Sequence, residues 1–199
     1  MVFIMRAYAN SKSLSLLCLL ILAGIFPVSV RPVHAQTPRI EIKDVLIKRH
    51  DGAYQLSANI VYNLSSKARN ALQKGIPLYW DVSVKVAQSR NWIWDKTIFS
   101  YSTRLRIQYQ ALFNSYRVTR IENNESESYS NLQAALTDMG LIKDLMLVKQ
   151  SEMDPDQNYY AGIKVNFDRE ALPLPLRPES YVNSQWYLSS DWMLWPVEN

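Results

Sequence analysis

Cysteine and histidine are nearly missing from this sequence. Of 199 residues one is cysteine, Cys18, and two are histidine, His34 and His50. Downstream of Cys18 no thiol remains, which excludes a disulfide framework and a cysteine-ligated zinc. His50 beside Asp51 has no second histidine near it, so a histidine metal site or a nucleophilic triad lacks its partners. A run of membrane-spanning length is also wanting. The longest apolar stretch, Leu14 to Phe26, falls short of the roughly 20 residues a span needs.

What stands at the N-terminus resembles a secretory signal. Arg6 and Lys12 give the positive start, Leu14 to Phe26 the apolar core, and Pro27 ends it. Val33-His34-Ala35 fits the small-residue rule for cleavage before Gln36. Leu17 before Cys18 argues against lipidation. Residues 1–35 hold three of the 22 basic residues and none of the 18 acidic ones, so 36–199 carries 19 against 18. The basic pI therefore belongs largely to the export segment and gives no support for nucleic-acid binding. The expectation is a periplasmic or secreted protein of one domain over 36–199. The membrane is involved only if the signal stays uncleaved as an anchor.

The chain is organised around Ile76 to Tyr109. Ile76, Leu78, Trp80, Val82, Val84 and Val86 alternate with mostly polar residues, the period of a strand with one buried face. After a turn at Gln88 to Asn91, a second arm places Phe99, Tyr101, Leu105, Ile107 and Tyr109 on one parity. Ser100, Ser102, Arg104 and Arg106 take the other. Fifteen residues from Lys96 to Gln110 exceed the usual strand of roughly 3–10, so a bend or bulge is expected near Thr97 or Thr103.

Other segments follow the same period. Arg39 to Arg49 changes parity near Lys43-Asp44, which predicts a bulge. Asp51-Gly52 marks a hairpin, and Tyr54, Leu56, Ala58, Ile60 and Tyr62 then share a face. Ser65 or Ser66 caps a short helix stopped by Gly75. Tyr116 to Glu122 and Tyr159 to Phe167 read as strands, with brief pairing near Tyr129, while Leu141 to Val148 is ambiguous. Ser130-Asn131-Leu132-Gln133 resembles a capping box for a helix ended by Gly140. Leu172 to Pro178 is too proline-rich for helix or central strand, so 171–199 reads as an extended Pro/Trp-rich segment. The fold class is mainly β (α+β): a curled antiparallel sheet or sandwich-like domain of about seven strands with two short helices.

Several segments together resemble a known family. They are Ala71-Leu72-Gln73-Lys74-Gly75-Ile76-Pro77-Leu78, Trp94-Asp95-Lys96 and Arg104 to Leu112. Leu172 to Pro178 and Trp186 to Pro196 complete the set. The chain is similar to a bacterial exported family called domain of unknown function forty-three ninety, over nearly all of 36–199. That family has no established activity, so the resemblance carries over no catalytic residue. It implies an envelope accessory role near two-component signalling, with an envelope sensor kinase as partner.

Candidate residues divide by chemistry. Asp81, Asp95, Asp168 and Glu170 are carboxylates near strand ends. Ion pairs with Lys85, Arg104 or Arg106 across the outer sheet face explain them better than a glycosidase pair does. Asp154-Pro155-Asp156 starts like a calcium loop, but Tyr159 and Val165 stand where glycine and glutamate are needed. The aromatic surplus is the sharper signal. Trp92, Trp94, Trp192 and Trp195 supply area either for a core or for a binding platform. Trp92 and Trp94, beside a turn, are the pair expected outside, with Arg104 and Arg106 as a rim. No metal and no cofactor is implied. The expected function is a non-enzymatic envelope binding or accessory protein. The alternatives are a glycan-binding or glycoside-acting protein and a tethered structural one.

Overall fold

The computed structural model describes residues 39–90 and 94–198. Among these described residues nine strands fall in two antiparallel sheets. The first sheet has the order β1-β2-β7, with β1 Arg39–His50, β2 Ala53–Asn63 and β7 Leu141–Lys149. The second has the order β6-β5-β4-β3-β8-β9. Its strands are β3 Leu78–Gln88, β4 Lys96–Gln110, β5 Ser115–Arg120, β6 Glu125–Tyr129, β8 Tyr159–Phe167 and β9 Met193–Val197. Among the described residues three helices accompany them: α1 Ser66–Gln73, α2 Leu132–Met139 and α3 Arg177–Val182.

Alternation drives the stacking. Leu78, Trp80, Val82, Val84 and Val86 of β3 are buried, as are Tyr159, Ala161, Ile163, Val165 and Phe167 of β8. They meet Tyr54, Leu56, Ala58, Ile60 and Tyr62 of β2 in one core. Trp80 is its centre. Its ring stands edge-on to Tyr62 at 5.3 Å and tilted to Phe167 at 5.1 Å. Its Nε1–H donates to Leu188 O at 2.9 Å. That bond fixes the chain after α3 against the sheet, since an unpaired buried donor would cost about 1–3 kcal/mol.

Local chemistry sets the irregularities. Asp51 and Gly52 both have positive φ, 50° and 74°, as a two-residue hairpin between His50 and Ala53 requires. β1 shifts register between Lys43 and Leu46, with Asp44 at φ 52°. In β4, Val86 pairs with Phe99 while Ala87 pairs with Thr97, so Ile98 is the extra residue and the bulge lies beside Thr97. The 15-residue length of β4 serves two neighbours: β3 along Lys96 to Ile107 and β5 along Leu105 to Gln110. Ser65 Oγ accepts from Ala68 N at 3.0 Å and caps α1.

Four expectations need correction. The strands number nine rather than about seven: β6 pairs over five residues, the ambiguous segment is β7, and the tail supplies β9. The cap of α2 is Asn131, which accepts from Ala134 N at 2.8 Å, rather than Ser130. The segment 171–199 is not simply extended. It turns at Pro173 to Leu176 and forms α3, with Pro178 in the first turn where a missing N–H is harmless. The first arm of the central hairpin also begins later than alternation suggested, at Leu78 rather than Ile76.

Candidate functional site

The outer face of the six-stranded sheet carries most of the singled-out side chains, and register dictates the arrangement. One row across the strands is Ser100, Lys85, Gly162 and Leu194. The next is Ser102, Ser83 and Lys164, and the third is Arg104, Asp81 and Asn166. Short serines in the middle separate an aromatic end from a charged end.

At the aromatic end Lys85 Nζ lies 4.4 Å from the Trp192 ring centre and 5.7 Å from that of Tyr160. A cation over such rings is worth about 0.5–1 kcal/mol at exposed sites. Gly162 makes room for this. A Cβ there would stand 2.9 Å from Leu194 Cδ2, 3.2 Å from Trp192 Cε3 and 3.4 Å from Lys85 Cε. Tyr160 Oη donates to Asp95 Oδ2 at 2.7 Å, and Arg90 N donates to Asp95 Oδ1 at 3.1 Å. The Tyr160 hydroxyl first, then the Arg90 N–H, holds the Asp95 carboxyl below its ordinary range. The same bond pushes the Tyr160 hydroxyl up. Beside Asp95, Trp94 is 93% exposed.

At the charged end Arg104 bridges two carboxylates. It pairs with Asp81 at 3.5 Å and donates to Asp168, and its guanidinium lies 5.2 Å from the Tyr79 ring centre. Burial raises the Asp81 pKa, helped by the negative charges of Asp168 and Glu122, while Arg104 opposes. Glu122 behaves differently. Burial pushes it up, but hydrogen bonds from Thr103 Oγ1 and Arg104 N, with the Arg104 charge, leave it lowered. Beside this cluster opens a pocket of about 490 Å³, lined by Asp81, Asn166, Asp168, Glu170, Tyr181 and Ser189 among others. Arg169, on its wall, lies 5.5 Å and 5.1 Å from the ring centres of Tyr181 and Tyr187.

The sequence-derived candidates do not all converge. Trp192, Arg104 and Arg106 share the outer face, Arg106 reaching Thr119 Oγ1 at 3.3 Å. Trp94 projects from the loop at its end, and Trp92 lies outside the described residues. Trp195 pairs with Ala161 on the inner side of β9. It lines a separate cleft of about 520 Å³ with Val45, Ile47, Arg49 and Tyr54, so the sheet divides it from Trp192. Arg104 is a clamp between carboxylates rather than a free rim. Trp186 is core, 1% exposed and stacked on Phe167 at 6.0 Å, with no acceptor for its Nε1–H among the described residues.

Lys85, Tyr160 and Gly162 escaped the reading as a binding cluster. A lone glycine inside an alternating strand marks close approach of another group, which was the available signal. His50 is the exposed last residue of β1, 3.3 Å from Asp51 in the turn, and Asp154 Oδ1 accepts from Asp156 N at 3.0 Å as a polar turn does. Among the described residues no group of three or more His, Cys, Asp or Glu is placed to hold a metal. None of the described helices is long and apolar enough to cross a membrane.

The architecture defines an open two-sheet antiparallel β domain with one solvent-facing sheet surface of mixed aromatic and charged character. The profile of the family described as domain of unknown function (DUF4390) matches residues 37–196, and the chain belongs to that family. Neither a curated protein nor a solved structure matches it.

Proposed function

We propose that the protein is an exported, non-enzymatic binding or accessory module of the cell envelope, using the aromatic end of its six-stranded sheet. One observation carries the reading. Trp94 is 93% exposed beside a pre-ordered Asp95–Tyr160–Lys85–Trp192 cluster. A large exposed indole contributes nothing to the core, and tryptophan dominates binding hot spots. Lysine over one ring and a carboxylate on the next tyrosine hold the surrounding side chains in place before a partner arrives, which lowers the ordering penalty of association. The partner class is an envelope protein, with the extracytoplasmic part of a sensor kinase as the first to try.

The test is a photo-crosslinking residue at position 96, beside Trp94 and exposed at the start of β4, in the full chain, read against purified sensor-kinase ectodomain and against the envelope fraction. Trp94→Ala is expected to weaken capture about tenfold or more with its melting temperature unchanged. Equal capture by Trp94→Ala, or loss of folding, removes the site. N-terminal sequencing of the exported chain separates a released protein, starting at Gln36, from one tethered by its signal.

A second reading is supported by the pocket beside Asp81. Asp81, Asn166, Glu170, Tyr181 and Ser189 offer the mixed donors and acceptors that a sugar engages. Titration of the full chain with envelope glycans, read by the amide shifts of 166–170, tests it. No shift with any glycan excludes it.

A further inference from the structure

A different part of the domain holds an apolar pocket that the sheet-face reading does not use. Lys67, Asn70, Ala71 and Lys74, spaced three and four residues apart, put α1 and its C-cap along one wall. Pro173, Pro175 and Leu176 of the turn before α3 line it as well, with Ile76 and Trp186. The volume is about 400 Å³, within the range of roughly 300–1,000 Å³ typical of small-ligand sites.

Two lysines, Lys67 and Lys74, and one carboxylate, Glu179, line the rim. Lys67 is neutralised by its ion pair with Glu179. The Lys74 ammonium makes no ion pair or side-chain hydrogen bond among the described residues, and α1 contains no acidic residue. Asn70 adds an amide donor. The walls reject a polar occupant, while the rim offers one free cation. Leu174, in the turn between the two wall prolines, is 73% exposed and extends the apolar surface outward.

We infer that this pocket binds a single acyl chain, with the anionic head held by Lys74 and Asn70. Either a free fatty acid or one chain of a bilayer lipid has that chemistry. Hydrocarbon transfer is worth about 0.8 kcal/mol per buried methylene, so the chain supplies affinity and the head supplies orientation.

The test uses the full chain and three probes: laurate below its micelle-forming concentration, dodecyltrimethylammonium at the same concentration, and phosphatidylglycerol vesicles. Laurate is expected to shift the amides of 67–76 and to change the fluorescence of Trp186, which lines the pocket. Lys74→Glu weakens laurate about tenfold, whereas Phe113→Ser, at an exposed hairpin tip, leaves it unchanged. Vesicles that shift the same amides assign the site to a bilayer lipid, and a response to laurate alone assigns it to the free acid. Equal response to the cationic probe, indifference to Lys74→Glu, shifts mapping away from 67–76, or no response to laurate or vesicles overturns the inference. Failure of the Trp94 experiment leaves this site untouched, because the two share no residue.

Discussion

Replacing Gly140 with alanine tests whether α2 is positioned by backbone contact with β2. Gly140 caps α2 at φ −83° and ψ −7°, a conformation any residue adopts, so the backbone angles do not demand glycine. Space does. A Cβ built there would lie 1.9 Å from Ile60 O and 3.0 Å from Ile60 C. Ile60 N also donates to Gly140 O at 2.8 Å. The obstacle is the main chain of a central strand and cannot rotate away. Overpacking costs about 1–3 kcal/mol and losing the hydrogen bond about 0.5–1.5 kcal/mol. Stiffening the unfolded chain offsets about 0.4–1 kcal/mol. The net loss is about 3 kcal/mol, since rigid backbone places the clash at the upper end. For a chain of this size that lowers the melting temperature by about 6–12 °C. Urea denaturation with a shared m value measures it directly. Gly52→Ala is the control. It meets nothing within 4 Å but holds φ 74°, which costs an ordinary residue about 1–2 kcal/mol. The reasoning fails if Gly140→Ala stays within about 0.5 kcal/mol of wild type, the scatter of a neutral surface change, or loses less than Gly52→Ala.

Two further outcomes follow from single side chains. Trp80→Phe leaves the Leu188 carbonyl without its buried donor, so stability drops by about 1–3 kcal/mol plus a cavity contribution, read by the urea midpoint. Glu122→Gln changes the acid response. The folded pKa lies below the ordinary 4.5, so the wild type holds a stabilisation above pH 4.5 that drains as pH falls through the folded value. A melting-temperature gap between wild type and variant at pH 6 that narrows as the pH falls below 4.5 is expected. A gap that is constant with pH refutes the Thr103 and Arg104 contacts.

Most strands were legible because burial on one face writes a period of two into the chain. Leu78 to Val86 and Tyr159 to Phe167 carry it without interruption, and both are central strands. Of the short edge strands, β6 was legible only as brief pairing near Tyr129 and β9 was not legible. Glu125 to Ser128 are exposed on both faces, and β9 exists because β8 offers it an edge. The misread cap at Asn131 has a similar cause. Ser130 and Asn131 are both good caps, and only the direction of the chain entering α2 chose between them.

Some side chains of the candidate site were legible singly, but Tyr160, Gly162 and the assembly were not. Exposure of Trp94 was expected from its place beside a turn, and the Arg104–Asp81 ion pair from its chemistry. Trp195 illustrates the limit. It sits three residues after Trp192, and strand parity together with the pairing of β9 sends the two rings to opposite sides of the sheet.

By itself the sequence determined a cysteine-poor, mainly antiparallel β domain, because alternation, turn residues and helix caps act over a few neighbours. Only the tertiary structure decided which strands are neighbours, and with that the rows that bring Lys85 to Trp192 and Arg104 to Asp81 and Asp168. Those contacts span tens of residues along the chain, and register across the sheet, which no local preference encodes, places them.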